Sequence, residues 1–325
     1  MLREKDDPKS KILKLDEINI IAPCGFGDTM ILCGFKNALE SLYSEKIHFI
    51  IQPKHEVVME MYNISDYSIQ SFSEDELYIL GKHNKIPTRG SLFVAHPLFL
   101  EKKELLEEFN KNKFSFIDLH RKNLNLSSCT EFELPTSFPQ LTEELKAKVE
   151  EIAPLERVVL ISPESHSLKA VNPIFFEKIV KSLKMNGYTV ISSVCNIKNR
   201  VKGSIYLKLD IKEALALGTH CGEIYATRSG FCDLMALTAK NLTVFYPDHD
   251  SFKIYGLKTL FRNKFLPNEI VVIGSILSKV SPFLLIEKKN QETVYRLCLQ
   301  LFRIKKTQGK KKLYILGIPI YNKNL

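Results

Sequence analysis

The sequence predicts an α/β fold of two doubly wound domains facing a cleft, and three observations predict it. Short apolar runs of strand length alternate with amphipathic stretches through both halves of the chain. A glycine-containing turn, Gly25-Phe26-Gly27-Asp28-Thr29, lies between a strand-like run and a helix-like run, and Arg228-Ser229-Gly230-Phe231-Cys232-Asp233-Leu234 takes the same place in the second half. At 325 residues the chain is long enough for two domains of ordinary size.

In the first half, Ile18 to Ala22 reads as a strand. Thr29 to Tyr43 reads as one helix, with Met30, Ile31, Phe35, Leu39 and Leu42 on a common face. Ile47 to Ile51 is the next strand, so residues 18–51 make a βαβ unit. A short helix over Glu56 to Tyr62, a strand over Leu92 to Ala95 and a Glu/Lys-rich helix over Phe99 to Phe109 follow. Residues 127–140 lack a helical period and hold Pro135 and Pro139, and Leu141 to Ile152 is a charged helix; the domain junction is placed within 135–155.

The alternation restarts with a strand over Val158 to Ile161 and a loop over Ser162 to Asn172. Asn172-Pro173 supplies a capping residue and a first-turn proline, and Gly187 ends the helix they open. Strands over Thr189 to Ser193, Glu223 to Ala226 and Leu242 to Tyr246 alternate with helices over Ile211 to Leu217 and Phe231 to Ala239. Thr293 to Phe302 reads as a helix. The apolar end, Leu313 to Tyr321, reads as a strand or hairpin packed on a domain, or as a membrane-surface contact. The expected division is an acceptor domain over 1–145, a donor domain over 146–290, and a tail over 291–325.

Composition narrows the class. The chain is 45% hydrophobic and 26% charged, and no apolar run reaches the ~18–20 residues of a membrane-spanning helix. With its polar first residues this predicts a cytoplasmic protein. The seven cysteines form no C-x-x-C pair, which argues against a disulfide framework and a zinc cluster. The net charge of +9 is spread out, with one cluster at Lys305, Lys306 and Lys310 to Lys312, and no nucleic-acid module accompanies it. Nucleic acid is therefore not an expected partner; peripheral contact with the anionic inner face of a membrane is.

Four segments carry candidate chemistry. Gly25 and Gly27 let the backbone pass close to a ligand, and Asp28 is either a helix cap or a general base for a sugar hydroxyl. The loop from Ser162 through Pro163 and Glu164 to Lys169 offers hydroxyls, a carboxylate and a cation at a strand's carboxyl end, where a nucleotide or phosphate would rest. Ser229 and Gly230 offer backbone N–H groups to a pyrophosphate, with Arg228 as charge partner and Asp233 either a favourable first-turn charge or a contact to a sugar hydroxyl. Asp248-His249-Asp250 has the D-x-D spacing of a divalent-metal motif, but the loop reads better as part of the donor side than as a metal site.

At these residues the chain resembles bacterial heptosyltransferase-type glycosyltransferases of the two-Rossmann-domain (GT-B) architecture. Gly25, Gly27 and Asp28 match that family's strand–G-x-G-D–helix, and Ser162, Pro163 and Lys169 loosely match its donor-side loop. Ser229, Gly230 and Leu234 align with its (D/N)-(S/T)-G-x-x-H-L-A segment, in which Arg228 here replaces the leading acid and Asp233 the histidine. The resemblance implies Rossmann-like domains, a nucleotide-sugar donor and a glycan or glycolipid acceptor of lipopolysaccharide, lipooligosaccharide or capsule. It also implies Asp28 as base, with Gly25, Gly27, Thr29 and His120 on the acceptor side. No cofactor and no divalent metal are expected. The rival readings are a nucleotide-sugar epimerase of the same architecture and a non-catalytic binding component of a polysaccharide assembly complex.

Overall fold

The computed structural model describes residues 13–111, 113–165, 168–238, 241–261 and 268–272, together with strands spanning 284–289, 292–297, 302–307, 310–315 and 318–324. It divides into two compact units, Met1–Pro139 and Gln140–Leu325.

In the first unit the chain runs β1 (Ile18–Ala22), α1 (Phe26–Gly34), α2 (Lys36–Tyr43), β2 (Ile47–Ile51), α3 (Glu56–Met61), β3 (Tyr67–Ile69), α4 (Glu74–His83), β4 (Leu92–Val94), α5 (Lys103–Asn110) and α6 (Phe116–Asn123). The sheet order is β3-β2-β1-β4, parallel throughout. β1 and β2 are buried along their whole length, as strands covered on both faces must be. The chain builds outward from β1 through β2 to β3, then returns to lay β4 on the other side of β1. That reversal parts the crossover connections and leaves a crevice at the carboxyl ends of β1 and β4.

The helix expected over 29–43 is two helices. The first begins three residues earlier, at Phe26, and the break falls at Phe35 (φ −103°, ψ 3°), whose fully buried ring packs edge-on against Phe132 at 5.8 Å. The segment 131–137, expected as part of a linker region, is strapped to the first unit. Glu133 N–H donates to Gly34 O (2.9 Å), and the N–H groups of Thr136 and Ser137 donate to Met61 O (3.1 and 3.0 Å).

The second unit runs α7 (Glu143–Glu150), β5 (Val158–Ser162), α8 (Pro173–Met185), β6 (Thr189–Ser192), β7 (Ile205–Tyr206), α9 (Ile211–His220), β8 (Glu223–Thr227), α10 (Gly230–Met235), β9 (Leu242–Tyr246), α11 (His249–Tyr255), α12 (Leu257–Leu260) and β10 (Asn268–Val271). Five further strands follow: β11 (Leu284–Lys289), β12 (Glu292–Leu297), β13 (Phe302–Thr307), β14 (Lys310–Ile315) and β15 (Ile318–Asn324). The parallel part has the order β10-β9-β8-β5-β6-β7, so strand order reverses between β5 and β8. Its core is aromatic: Phe175 and Phe176 of α8 meet Phe245 of β9 edge to face at 4.9 and 5.6 Å. Asn172 caps α8 by accepting from Ile174 N–H (3.0 Å), and Gly187 leaves it in the left-handed region (φ +78°).

The tail departs from expectation. In place of a helix over 293–302, β12 occupies 292–297 and β13 begins at 302, within an antiparallel run that extends the sheet from β10 through β15. Thr293, Val294 and Tyr295 are β-branched or aromatic, and Glu-Thr-Val-Tyr-Arg-Leu suits a pleated ladder better than a helix face. The apolar end supplies β14 and β15, an antiparallel pair. Among the described residues no helix is long and apolar enough to cross a membrane.

Gly34 tests the packing of the strap. A β-carbon there would overlap the Phe132 ring and lie 2.7 Å from Glu133 O. Gly34→Ala is expected to cost about 1–3 kcal/mol through this overpacking, read as a fall in the thermal unfolding midpoint. An unchanged midpoint would show that the strap does not hold in solution.

Candidate functional site

Asp28 occupies the third position of α1, directly beyond β1. Its carboxylate serves two purposes. Oδ2 accepts the N–H of Gly25, the residue before the helix (3.2 Å), and Oδ1 accepts from Nε2 of His120 on α6 (3.1 Å). His96, one residue beyond Ala95 at the exit of β4, brings its Nε2 to 4.0 Å from the same Oδ1. The cap reading and the cleft-facing reading of Asp28 are therefore compatible, one oxygen for each.

Burial differs sharply across the group. The His120 side chain is 0% exposed, whereas Asp28 and His96 keep 16% and 17% of theirs open to solvent. Burial alone would raise the Asp28 pKa. The His120 hydrogen bond and charge, the His96 charge and the Gly25 N–H outweigh it and hold the carboxyl below the ordinary aspartate value. Burial pushes His96 down, with Asp28 opposing and His120 adding to the fall, so the ring is neutral near pH 7. The His120 ring stands edge-on to Phe116 at 5.0 Å, and its Nδ1 is buried without a hydrogen-bond partner. A carboxylate only accepts, so the proton sits on Nε2.

The neighbouring residues are structural. Thr29 is fully buried, and its hydroxyl donates to Gly25 O (3.1 Å) and meets Nδ1 of buried His55 (3.0 Å). Thr29 thus faces inward, which corrects its expected place on the acceptor side. Gly27 is buried in α1. Gly25 has an ordinary extended backbone (φ −85°, ψ −179°), and a β-carbon there would meet Asp28 Oδ2 at 3.7 Å, so openness before the carboxylate is what glycine provides. Arg121, adjoining His120, is consumed by Asp118 (2.7 Å), Thr130 O (3.1 Å) and the Phe35 ring.

In the second unit the reversal of strand order brings the loop after β5 beside the turn after β8. Ser162 pairs with Ala226 in register, and Thr227 Oγ1 donates to Pro163 O (2.8 Å). Ser162, Ser229 and Gly230 are half-buried at this edge and Lys169 is exposed. Ser229 adopts an extended N-cap conformation ahead of α10.

Three expected donor contacts are spent internally. Glu164 accepts Cys195 N–H (2.7 Å) and Asn199 Nδ2 (2.5 Å), bracing the loop after β6. Arg228 and Asp233 form a bidentate pair (Nη2–Oδ1 2.7 Å, Nη1–Oδ2 3.0 Å) with side chains 4% and 2% exposed. Arg228 Nε and Nη1 also donate to the carbonyls of Tyr255 (2.7 Å) and Ser229 (2.6 Å). With the guanidinium turned inward, the expectation that Arg228 and Asp233 reach a donor is corrected. Asp248 caps α11 by accepting Ser251 N–H (2.7 Å), which accounts for the first acid of the D-x-D spacing.

Sequence reasoning missed His96 and Cys24. Both sit at strand exits, a signal that was present, but only the strand order reveals that the exits of β1 and β4 adjoin. Cys24, Asp28 and His96 each place one ligand-type atom within 4.8 Å of the other two.

The buried pair in the second unit is directly testable. Asp233→Asn leaves the Arg228 charge buried without its counter-charge and is expected to cost about 3–5 kcal/mol in denaturant unfolding. An unchanged unfolding midpoint with weakened nucleotide binding would instead restore these residues to a ligand site.

Comparison with known proteins bears on the fold. No family model and no curated protein matches the chain. Among solved structures, the ADP-heptose lps heptosyltransferase II of E. coli is similar at 14% identity over 79% of this chain and 91% of its own, with a TM-score of 0.51. A glycosyl transferase family 9 protein of Veillonella parvula is similar at 14% identity over 80% and 87%, with a TM-score of 0.49. TibC of enterotoxigenic E. coli, named an iron-containing dodecameric glycosyltransferase, follows at 15% identity over 72% and 59%, with a TM-score of 0.43. The expectation of no cofactor and no divalent metal is corrected to this extent: TibC, a similar protein, is named as iron-containing. In fold the chain is of the GT-B kind, similar to the E. coli heptosyltransferase II structure.

Proposed function

We propose that this protein is a glycosyltransferase that moves a sugar from a nucleotide-sugar donor to a bacterial surface glycan or glycolipid, with Asp28 as general base. The observation that carries the reading is the Asp28 carboxylate itself. It is ionised, partly open to solvent, oriented by His120, and seated where strand order reverses in the first unit. The fold shared with heptosyltransferase II, a protein named for ADP-heptose, supports a nucleoside-diphosphate sugar as donor.

The acceptor hydroxyl gives its proton to Asp28 as its oxygen bonds to the anomeric carbon. The bond from that carbon to the donor diphosphate breaks, and the electron pair leaves with the diphosphate. Asp28 is a weak base, so proton transfer accompanies bond formation rather than preceding it. His120 keeps one oxygen of the carboxylate in place and is a positioning residue. On the donor side, Ser162, the Ser229-Gly230 backbone and the exposed Lys169 hold the diphosphate. α10 has only six residues, so its field is short-ranged and the direct N–H contacts matter most. The net charge of +9 suits work at the anionic cytoplasmic face of the inner membrane.

Asp28→Asn is expected to lower transfer by ~10²-fold or more while leaving nucleotide-induced thermal stabilisation intact. Near-normal turnover in that variant would refute the assignment. The pH profile gives an independent check. A carboxyl held below its ordinary value stays ionised until pH falls through that lowered value, so the acid limb of kcat/KM lies below about pH 4. His120→Leu removes the hydrogen bond and leaves burial to dominate, which moves the limb to higher pH. A limb that stays in place would mean His120 does not act on Asp28.

A further inference from the structure

We propose that Cys24, Asp28 and His96 form a binding site for one borderline divalent transition ion of the zinc class, with a fourth coordination position open to solvent. The site goes beyond the transferase reading and does not depend on it, although the two share Asp28.

Placement is the first argument. Cys24 lies in the turn after β1, Asp28 in the first turn of α1, and His96 just beyond β4. Three backbone segments converge because β1 and β4 are parallel neighbours. The three ligand-type atoms lie within 4.8 Å of one another, and Asp28 Oδ1 and His96 Nε2 are 4.0 Å apart. Tetrahedral coordination with bonds of ~2.0–2.3 Å sets ligand atoms about 3.3–3.8 Å apart, so modest side-chain rotation closes the site.

Ligand chemistry selects the ion. A thiolate, an imidazole and a carboxylate together suit zinc, cobalt(II) or iron(II), whereas magnesium and calcium prefer all-oxygen sets. Three protein ligands that remain partly accessible match a centre with an exchangeable fourth position better than a closed structural site. Binding forms the metal–sulfur bond as the thiol proton leaves to solvent, so each ion taken up releases one proton and no redox change occurs.

Two further observations distinguish this cluster. Glu17, His48 and Asp66 also bring three ligand-type groups together, but Lys14 is ion-paired with both acids and already supplies the cation. At Asp28, among the described residues, no Lys or Arg forms an ion pair; its partners are the two histidines. The Cys24 thiol makes no hydrogen bond among the described residues and is half-buried. His120, donating Nε2–H to Asp28 Oδ1, then orients a ligating carboxylate as outer-shell partners of metal sites do.

The test uses the full-length chain, stripped with a chelator and titrated with Co(II), then with Zn(II) against a chromophoric competitor. One Co(II) per chain is expected, with a thiolate-to-cobalt charge-transfer band that Zn(II) abolishes. Cys24→Ser should remove the band and His96→Ala should weaken binding about tenfold or more, while the exposed Cys129→Ser control leaves both unchanged. An unfolding midpoint and a far-UV circular dichroism spectrum like those of the unaltered chain confirm that each variant is folded. Absence of stoichiometric binding, or a band that survives Cys24→Ser, overturns the proposal. None of these readouts passes through sugar transfer, so ion binding is tested without assuming that Asp28 is a base, and an ion held on Asp28 would compete with that role.

Discussion

The constraint on which the candidate sites depend is the reversal of strand order within each parallel sheet. Parallel strands joined by right-handed crossovers place helices on both faces, and the loops diverge only where the chain turns back across its first strand. In the first unit that point lies between β1 and β4, which is why residues as distant in sequence as Asp28 and His96 become neighbours. In the second it lies between β5 and β8, where Thr227 is hydrogen-bonded to Pro163 O and so fixes the spacing of the two turns.

Two acid-centred clusters sit at these points and show opposite electrostatic designs. Arg228 and Asp233 neutralise one another out of contact with water, and the guanidinium spends further hydrogens on the Tyr255 and Ser229 carbonyls. Such a pair fixes the turn and offers little to a ligand. Asp28 instead faces imidazoles, whose charge depends on protonation, and keeps some exposure. A carboxylate compensated by hydrogen bonds, without a permanent counter-charge, remains able to accept a proton or an ion.

Much of the architecture was legible because buried parallel strands are short, apolar and bounded by turn residues. Ile18–Ala22, Ile47–Ile51 and Leu242–Tyr246 coincide with their sequence reading to the residue. The break at Phe35 was not legible, since its cause is a crossing by residues 132–133, far away in sequence. The tail was misread because a six-residue strand such as Glu292–Leu297 carries too little periodicity to separate it from a helix. For the site, Gly25, Gly27 and Asp28 stood out locally as a turn between strand and helix. The partners of Asp28 did not, because His96 and His120 are defined by strand order and by the packing of α6.

The departure from the heptosyltransferase pattern also takes a physical form. Where that pattern has an acid first and an imidazole five residues later, this chain has a guanidinium first and an acid five residues later. The spacing of a positive and a negative group across the Ser-Gly turn is kept, with the order reversed. The fixed guanidinium charge closes the pair bidentately at 2.7 and 3.0 Å, which an imidazole at the later position would not do. With both side chains committed, what this turn leaves unspent is the Ser229 and Gly230 backbone. The side chains that stay open nearby are those of the loop after β5, where Ser162 is half-buried and Lys169 exposed.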